Sequence, residues 1–87
     1  MSTKHTPGPW HIHDDKGCRW IETSKDDVIA RVFKEGTREQ FEANSCVLVT
    51  APEMLAALMD AHPHIADDAL RARVGNLIAK ATGGRHD

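Results

Sequence analysis

The sequence predicts one small α+β domain: a three-stranded antiparallel β-meander followed by two or three α-helices packed on one face of the sheet. Three observations predict it. Up to Phe33, apolar and polar residues alternate with the period of half-buried strands. Polar clusters, the first with a glycine, divide that stretch at hairpin spacing. From Thr37 onward the apolar residues recur at helical spacing instead.

Residues 1–8 read as a loose polar arm ending in Pro7, Gly8 and Pro9, and proline holds its predecessor extended. The meander covers 9–33. In the first strand Trp10 and Ile12 alternate with His11 and His13, which points the tryptophan face inward. Asp14, Asp15, Lys16 and Gly17 make the first hairpin connection, and Cys18 to Thr23 is the second strand. Ser24 to Asp27 turns the chain again. Val28 to Phe33 follows as a third strand, and because it carries apolar groups on both faces it is expected at the centre of the sheet.

The helical part covers 37–82. Thr37 with Gln40 three residues later has the pattern of a capping box, and Phe41, Ala43, Val47 and Leu48 form the expected apolar stripe of a helix ending near Val49. Thr50, Pro52 and Glu53 repeat the start signal, so a break or kink is expected there. Leu55, Leu58, Met59 and His62 line the next helix, which Pro63 stops. Asp67 and Asp68 open the last one, with Leu70, Val74, Leu77, Ile78 and Ala81 as its stripe. Gly83 and Gly84 cap it, and 84–87 is expected as a frayed tail.

Composition narrows the function classes. An 87-residue chain has room for one domain and buries only roughly 60–65% of the surface its unfolded form exposes. A deep substrate cavity would consume packing the domain needs, so no enzyme and no cofactor are expected. A homodimer could supply missing burial. Eleven Lys and Arg against thirteen Asp and Glu, interspersed, give a net charge of −2 and no basic stripe. Direct nucleic-acid binding is therefore not expected. Cys18 and Cys46 come without an apolar leader, which points to a reducing cytoplasm with both thiols buried and unpaired. No apolar run is long enough to cross a bilayer.

Six histidines are the compositional oddity. His11 and His13 share a strand face and could both reach one divalent ion, with Asp14, Asp15 or the pair His62 and His64 completing the site. The competing reading makes them the solvated face opposite Trp10 and Ile12, with no metal. No nucleophile motif or phosphate-cradling glycine loop is present, and the acidic pairs read as turns and a helix start. Trp20 could be core or a partly exposed anchor, since tryptophan is enriched at binding hot spots. The candidate partner-binding residues are Trp20, His11, His13, Arg19 and Arg31, centred on the exposed edge expected near Trp20.

A resemblance adds to this. His5-Thr6-Pro7-Gly8-Pro9-Trp10, Ile29-Ala30-Arg31-Val32, Glu42-Ala43-Asn44, Ala51-Pro52-Glu53-Met54-Leu55-Ala56-Ala57-Leu58 and Ile78-Ala79-Lys80-Ala81-Thr82-Gly83 occur in this order. Together they resemble a family of small phage and prophage proteins, over most of the chain. The resemblance implies a mobile-element accessory protein that works in the cytoplasm of a bacterial host. It implies action by stoichiometric binding to a host protein, as an anti-CRISPR-like inhibitor of a CRISPR or other defence complex. The alternatives are a histidine-based metal-binding or small regulatory protein, and a dimeric structural phage protein.

Overall fold

A computed structural model describes residues 5–83; residues 1–4 of the expected arm and the expected tail 84–87 lie outside the described residues. Three strands come first: β1 (Trp10–Asp15), β2 (Cys18–Thr23) and β3 (Val28–Val32). They form one antiparallel sheet in the order β1-β2-β3. Helix α1 (Arg38–Ala61), a 3-10 turn (His62–His64) and helix α2 (Asp68–Ala81) follow. The chain groups into two compact units, one of Thr6–Glu53 and one built from 54–83 with His5.

In the first unit β2 is the central strand, not β3. Two successive hairpins leave the middle segment paired on both sides, and β3 becomes an edge. Its two-sided apolar pattern has a different cause. The pairing passes from Ile21↔Ala30 to Glu22↔Val28, so Ile29 is an extra residue on β3. This bulge lets Ile29 and Ala30 both pack on the core, while Val28 stays 58% exposed on the other face.

The core of this unit is Ile21, Val32 and Phe41, with Trp10, Ile29, Ala30 and Val49 against it. Phe41 lies one turn into α1, whose start is fixed by the expected capping box. Gln40 N–H donates to Thr37 Oγ1 at 3.1 Å, and Thr37 N–H donates to Gln40 Oε1 at 3.0 Å. The expected stripe is right at Phe41 and wrong after it. Ala43, Val47 and Leu48 are exposed, whereas Ser45 is fully buried and Val49 half-buried. The inward row is thus 41, 45, 49, at four-residue spacing. A serine sits there because its Oγ donates back to the Phe41 carbonyl at 2.8 Å, which satisfies it inside the core.

The expected break at Thr50 to Pro52 is absent: α1 runs through Pro52. Thr50 Oγ1 does not cap a new helix but donates to the Cys46 carbonyl at 2.7 Å, one turn earlier. Proline removes one helical hydrogen bond there, and the ring gains a contact in exchange. A Cβ on Gly8 would stand 2.9 Å from Pro52 Cβ, so the backbone of the entry segment lies against the ring and only glycine fits. Trp10 Nε1 donates to the Thr6 carbonyl at 3.2 Å. Residues 6–8, expected as part of the loose arm, are therefore held at both ends of this contact.

The second unit has its own small core of Leu55, Val74 and Ile78, with Leu58, Met59 and Ile65 packed on it. Asp67 caps α2 as the sequence indicates, its side chain accepting from Leu70 N–H at 2.8 Å. Of the expected α2 stripe only Val74 and Ile78 are buried; Leu70 and Leu77 are 43% and 51% exposed. Gly75 lies close to the His62 ring: a Cβ there would meet Nε2 at 3.0 Å, so a larger residue needs the ring to give by a few tenths of an ångström. No helix among the described residues is long and apolar enough to cross a membrane.

Candidate functional site

The strand register sorts the first unit's polar residues onto two faces. Residues paired across antiparallel strands share a face. Trp10↔Thr23, Ile12↔Ile21, Asp14↔Arg19 and Arg19↔Val32 lie on the face that carries the core. His11↔Glu22, His13↔Trp20, Asp15↔Cys18 and Trp20↔Arg31 lie on the opposite, open face. Four of the five candidate residues, His11, His13, Trp20 and Arg31, therefore come together. Arg19 does not join them.

Arg19 instead closes the core from the helix side. Its guanidinium stands 4.5 Å over the Phe41 ring, and its nitrogens donate to Asp14 Oδ1 at 2.8 Å, Glu42 Oε2 at 3.0 Å and Ser45 Oγ at 3.3 Å. The side chain is only 13% exposed. These hydrogen bonds, to Asp14 first and Glu42 second, raise the Arg19 pKa. The same bond lowers that of Asp14. Arg19 is thus a structural residue, and Asp14 is engaged by it rather than turned toward the histidines. A group whose folded pKa is depressed stabilises the fold above its unfolded pKa, and the contribution disappears as pH falls through the folded value. We expect Asp14→Asn to lower the melting temperature at pH 7, and the deficit to shrink as pH falls below the ordinary carboxylate range, measured by thermal melts at pH 7 and in acid. Equal deficits at both pH values would show that the pair contributes nothing through charge.

The open face has two parts. On one side Arg31 lies between two rings, its guanidinium carbon 5.4 Å from the Trp20 centroid and 4.9 Å from the Phe33 centroid. Its Nη2 also reaches Cys18 Sγ at 3.2 Å. Trp20 is half-buried and Phe33 is 60% exposed. Since β2 is central, Trp20 sits mid-sheet and not on the expected edge. The expected burial of the thiols also fails in part: Cys18 is half-buried and Cys46 exposed, and both are free.

On the other side Glu22 lies beneath the two histidines. Its side chain is nearly buried at 9% exposure, with His13 Nδ1 at 3.1 Å from Oε2 and 3.2 Å from Oε1, and His11 Nε2 at 3.5 Å from Oε1. The hydrogen bond to Glu22, and then its charge, raise the His13 pKa. Asp26 approaches from the β2–β3 turn. That turn is fixed by Thr23, whose carbonyl accepts from Asp26 N–H at 3.0 Å and whose Oγ1 accepts from Lys25 and Asp27 N–H. Donor atoms of His11, Glu22 and Asp26 all lie within 4.8 Å of one another. The acids beside the histidines are thus Glu22 and Asp26, and neither Asp14 nor Asp15 is in the cluster. His62 and His64 belong to the 3-10 turn of the second unit.

Sequence reasoning overlooked Glu22, Asp26 and Phe33. Phe33 could have been found by strand alternation from Arg31, and Glu22 by counting back across the hairpin, which pairs 11 with 22. Asp26 carries no such signal, because a turn residue's position depends on the turn's conformation.

Residues 1–85 match the model of a family described as Salmonella phage P22 protein Y8K6. No curated protein and no solved structure is detectably similar to the chain.

Proposed function

The chain belongs to the Salmonella phage P22 protein Y8K6 family, and from that premise we propose that it is an accessory protein acting by stoichiometric binding to a host protein. A defence complex of the CRISPR kind is the partner class to try first. The observation that carries this reading is the open sheet face, where Trp20 and Phe33 flank Arg31. Tryptophan and arginine are the side chains most enriched among residues that dominate binding energy. An arginine already held between two rings loses little rotamer freedom when a partner covers it. Val28 and Phe33, 58% and 60% exposed, supply apolar surface on the β3 edge. Binding of this kind needs no active site, which suits a chain of this length.

The test is capture from lysate of a bacterial host with the tagged protein, paired with phage plating on a host that carries the defence system. The expected result is recovery of a defence component with a rise in plating, both lost in the Trp20→Ala, Arg31→Ala double variant. Truncating a residue of this kind at a binding surface costs about 2 kcal/mol or more, roughly 30-fold in affinity. Circular dichroism must show the variant folded. Capture that survives both substitutions would move the binding surface elsewhere, and the absence of capture and plating effect would end the reading.

A further inference from the structure

We propose that His11, Glu22 and Asp26 form a binding site for a divalent first-row transition-metal ion, with His13 holding the Glu22 carboxylate in position. The inference goes beyond the proposed partner binding and stands whether or not that reading does.

The geometry argues for it first. Two ligands each about 2.0–2.1 Å from a tetrahedral ion stand roughly 3.3–3.4 Å apart. His11 Nε2 and Glu22 Oε1 stand at 3.5 Å. Asp26 offers a third donor within the same 4.8 Å span, and the histidine side chain at 46% exposure leaves a side open for water as the fourth ligand. Little movement is needed to bring three donors onto one ion.

The second argument is the arrangement of Glu22. A carboxylate on a side chain only 9% exposed is costly unless a cation or strong donors meet it. Here His13 Nδ1 spans both oxygens, at 3.1 Å from Oε2 and 3.2 Å from Oε1, and Oε1 also stands near His11 Nε2. With Nδ1–H of His13 shared between the two oxygens, the carboxylate is oriented by a neighbour, and Oε1 also faces His11. Metal-ligating carboxylates are commonly held by an outer partner in this way.

Chemistry narrows the ion. Imidazole with two carboxylates is a nitrogen and oxygen donor set that suits Zn2+, Ni2+ or Co2+, whereas Mg2+ and Ca2+ take oxygen alone. Cys18 lies on the same face, but its sulfur contacts Arg31, which turns a cation toward it and not a metal. The ligands come from β1, β2 and the turn after β2, so an ion would tie two strands and their connection together. The competing account is that protonated His13 alone compensates Glu22 and no ion binds.

The experiment uses the full chain, freed of metal with a chelator. Zn2+ is titrated against a chromophoric competitor, and Co2+ is added separately to read the visible absorption of a low-coordinate site. The expected result is one Zn2+ per chain, with binding weakened about tenfold or more in His11→Ala and in Asp26→Asn. Removing an outer partner of a ligand costs about 10–100-fold, so His13→Ala should fall within that range. The paired variants His62→Ala with His64→Ala, and Cys18→Ala with Cys46→Ala, should bind as the parent does. His11 and Asp26 are exposed, so their variants are expected to fold, which circular dichroism checks, whatever happens to Glu22→Gln, and they decide the matter. No saturable Zn2+ binding would overturn the proposal. So would binding that survives His11→Ala and Asp26→Asn, or binding that disappears with the cysteines.

Discussion

Phe41→Ala is expected to destabilise the protein by about 3–5 kcal/mol, the usual cost of emptying a buried aromatic site. Stability for a chain of 87 residues is roughly 4–13 kcal/mol at 0.05–0.15 kcal/mol per residue, so this is a large share of the total. Phe41 is 6% exposed and is the one residue of α1 fully committed to the cluster with Ile21 and Val32. Its ring also carries two cations, Arg19 at 4.5 Å and Lys34 at 5.7 Å from the centroid. Alanine would leave the nearly buried Arg19 guanidinium above an empty site, which adds to the cavity cost. Phe41→Leu should restore much of the packing and none of the ring contact, so the gap between the two variants measures the cation's share. Urea unfolding followed by circular dichroism reads both. A loss under about 1 kcal/mol for alanine would mean that α1 does not close this core.

Ile21→Ala is expected to cost about 2–5 kcal/mol. Ile21 is fully buried, at the centre of the central strand, paired to Ile12 on one side and Ala30 on the other. Ile12 lies on the same face at 37% exposure, and Ile12→Ala should cost clearly less because the site can be filled by water without a cavity. The comparison tests the register, not hydrophobicity alone, since a one-residue slip would exchange which strand positions face inward. Phe41 and Ile21 share one cluster, so the double variant should lose less than the two single losses added. Additive losses would place the two side chains in separate environments. Neither substitution touches the open face, so a folded fraction of either variant should still bind Zn2+.

Elements whose signals are local were legible. The two hairpins, the Thr37 and Gln40 capping box and the Asp67 cap depend on residues within a few positions of one another, and each appears where the spacing indicated. The break expected at Pro52 was local reasoning too, yet it failed. Proline signals a helix start only if nothing outside the segment favours continuation, and here the ring is held by Gly8, more than forty residues earlier in the chain. That contact also gives a physical reason for the two most specific motifs to occur together: the Pro-Gly-Pro opening and the Ala-Pro-Glu segment touch.

The candidate site was half legible. Two histidines at a spacing of two must share a strand face, and this follows from backbone geometry alone. Which acids meet them does not follow, because Glu22 is brought there by the hairpin register and Asp26 by the turn. Arg19 and Arg31 were indistinguishable as exposed basic residues on strands. Their side chains face opposite ways, one into the core with Asp14 and Glu42, the other between Trp20 and Phe33.

By itself the sequence determined the α+β class, the meander, the helix starts at Thr37 and Asp67, and the likeness to a phage protein family, since period, turn chemistry and caps are properties of neighbouring residues. Only the tertiary structure decided that β2 is central, that Ser45 and not Val47 faces inward, that α1 continues past Pro52, and that Glu22 lies beneath His11 and His13. Each of these is fixed by a residue far away in the chain, through strand pairing or packing, and no spacing within one segment encodes where such a residue will stand.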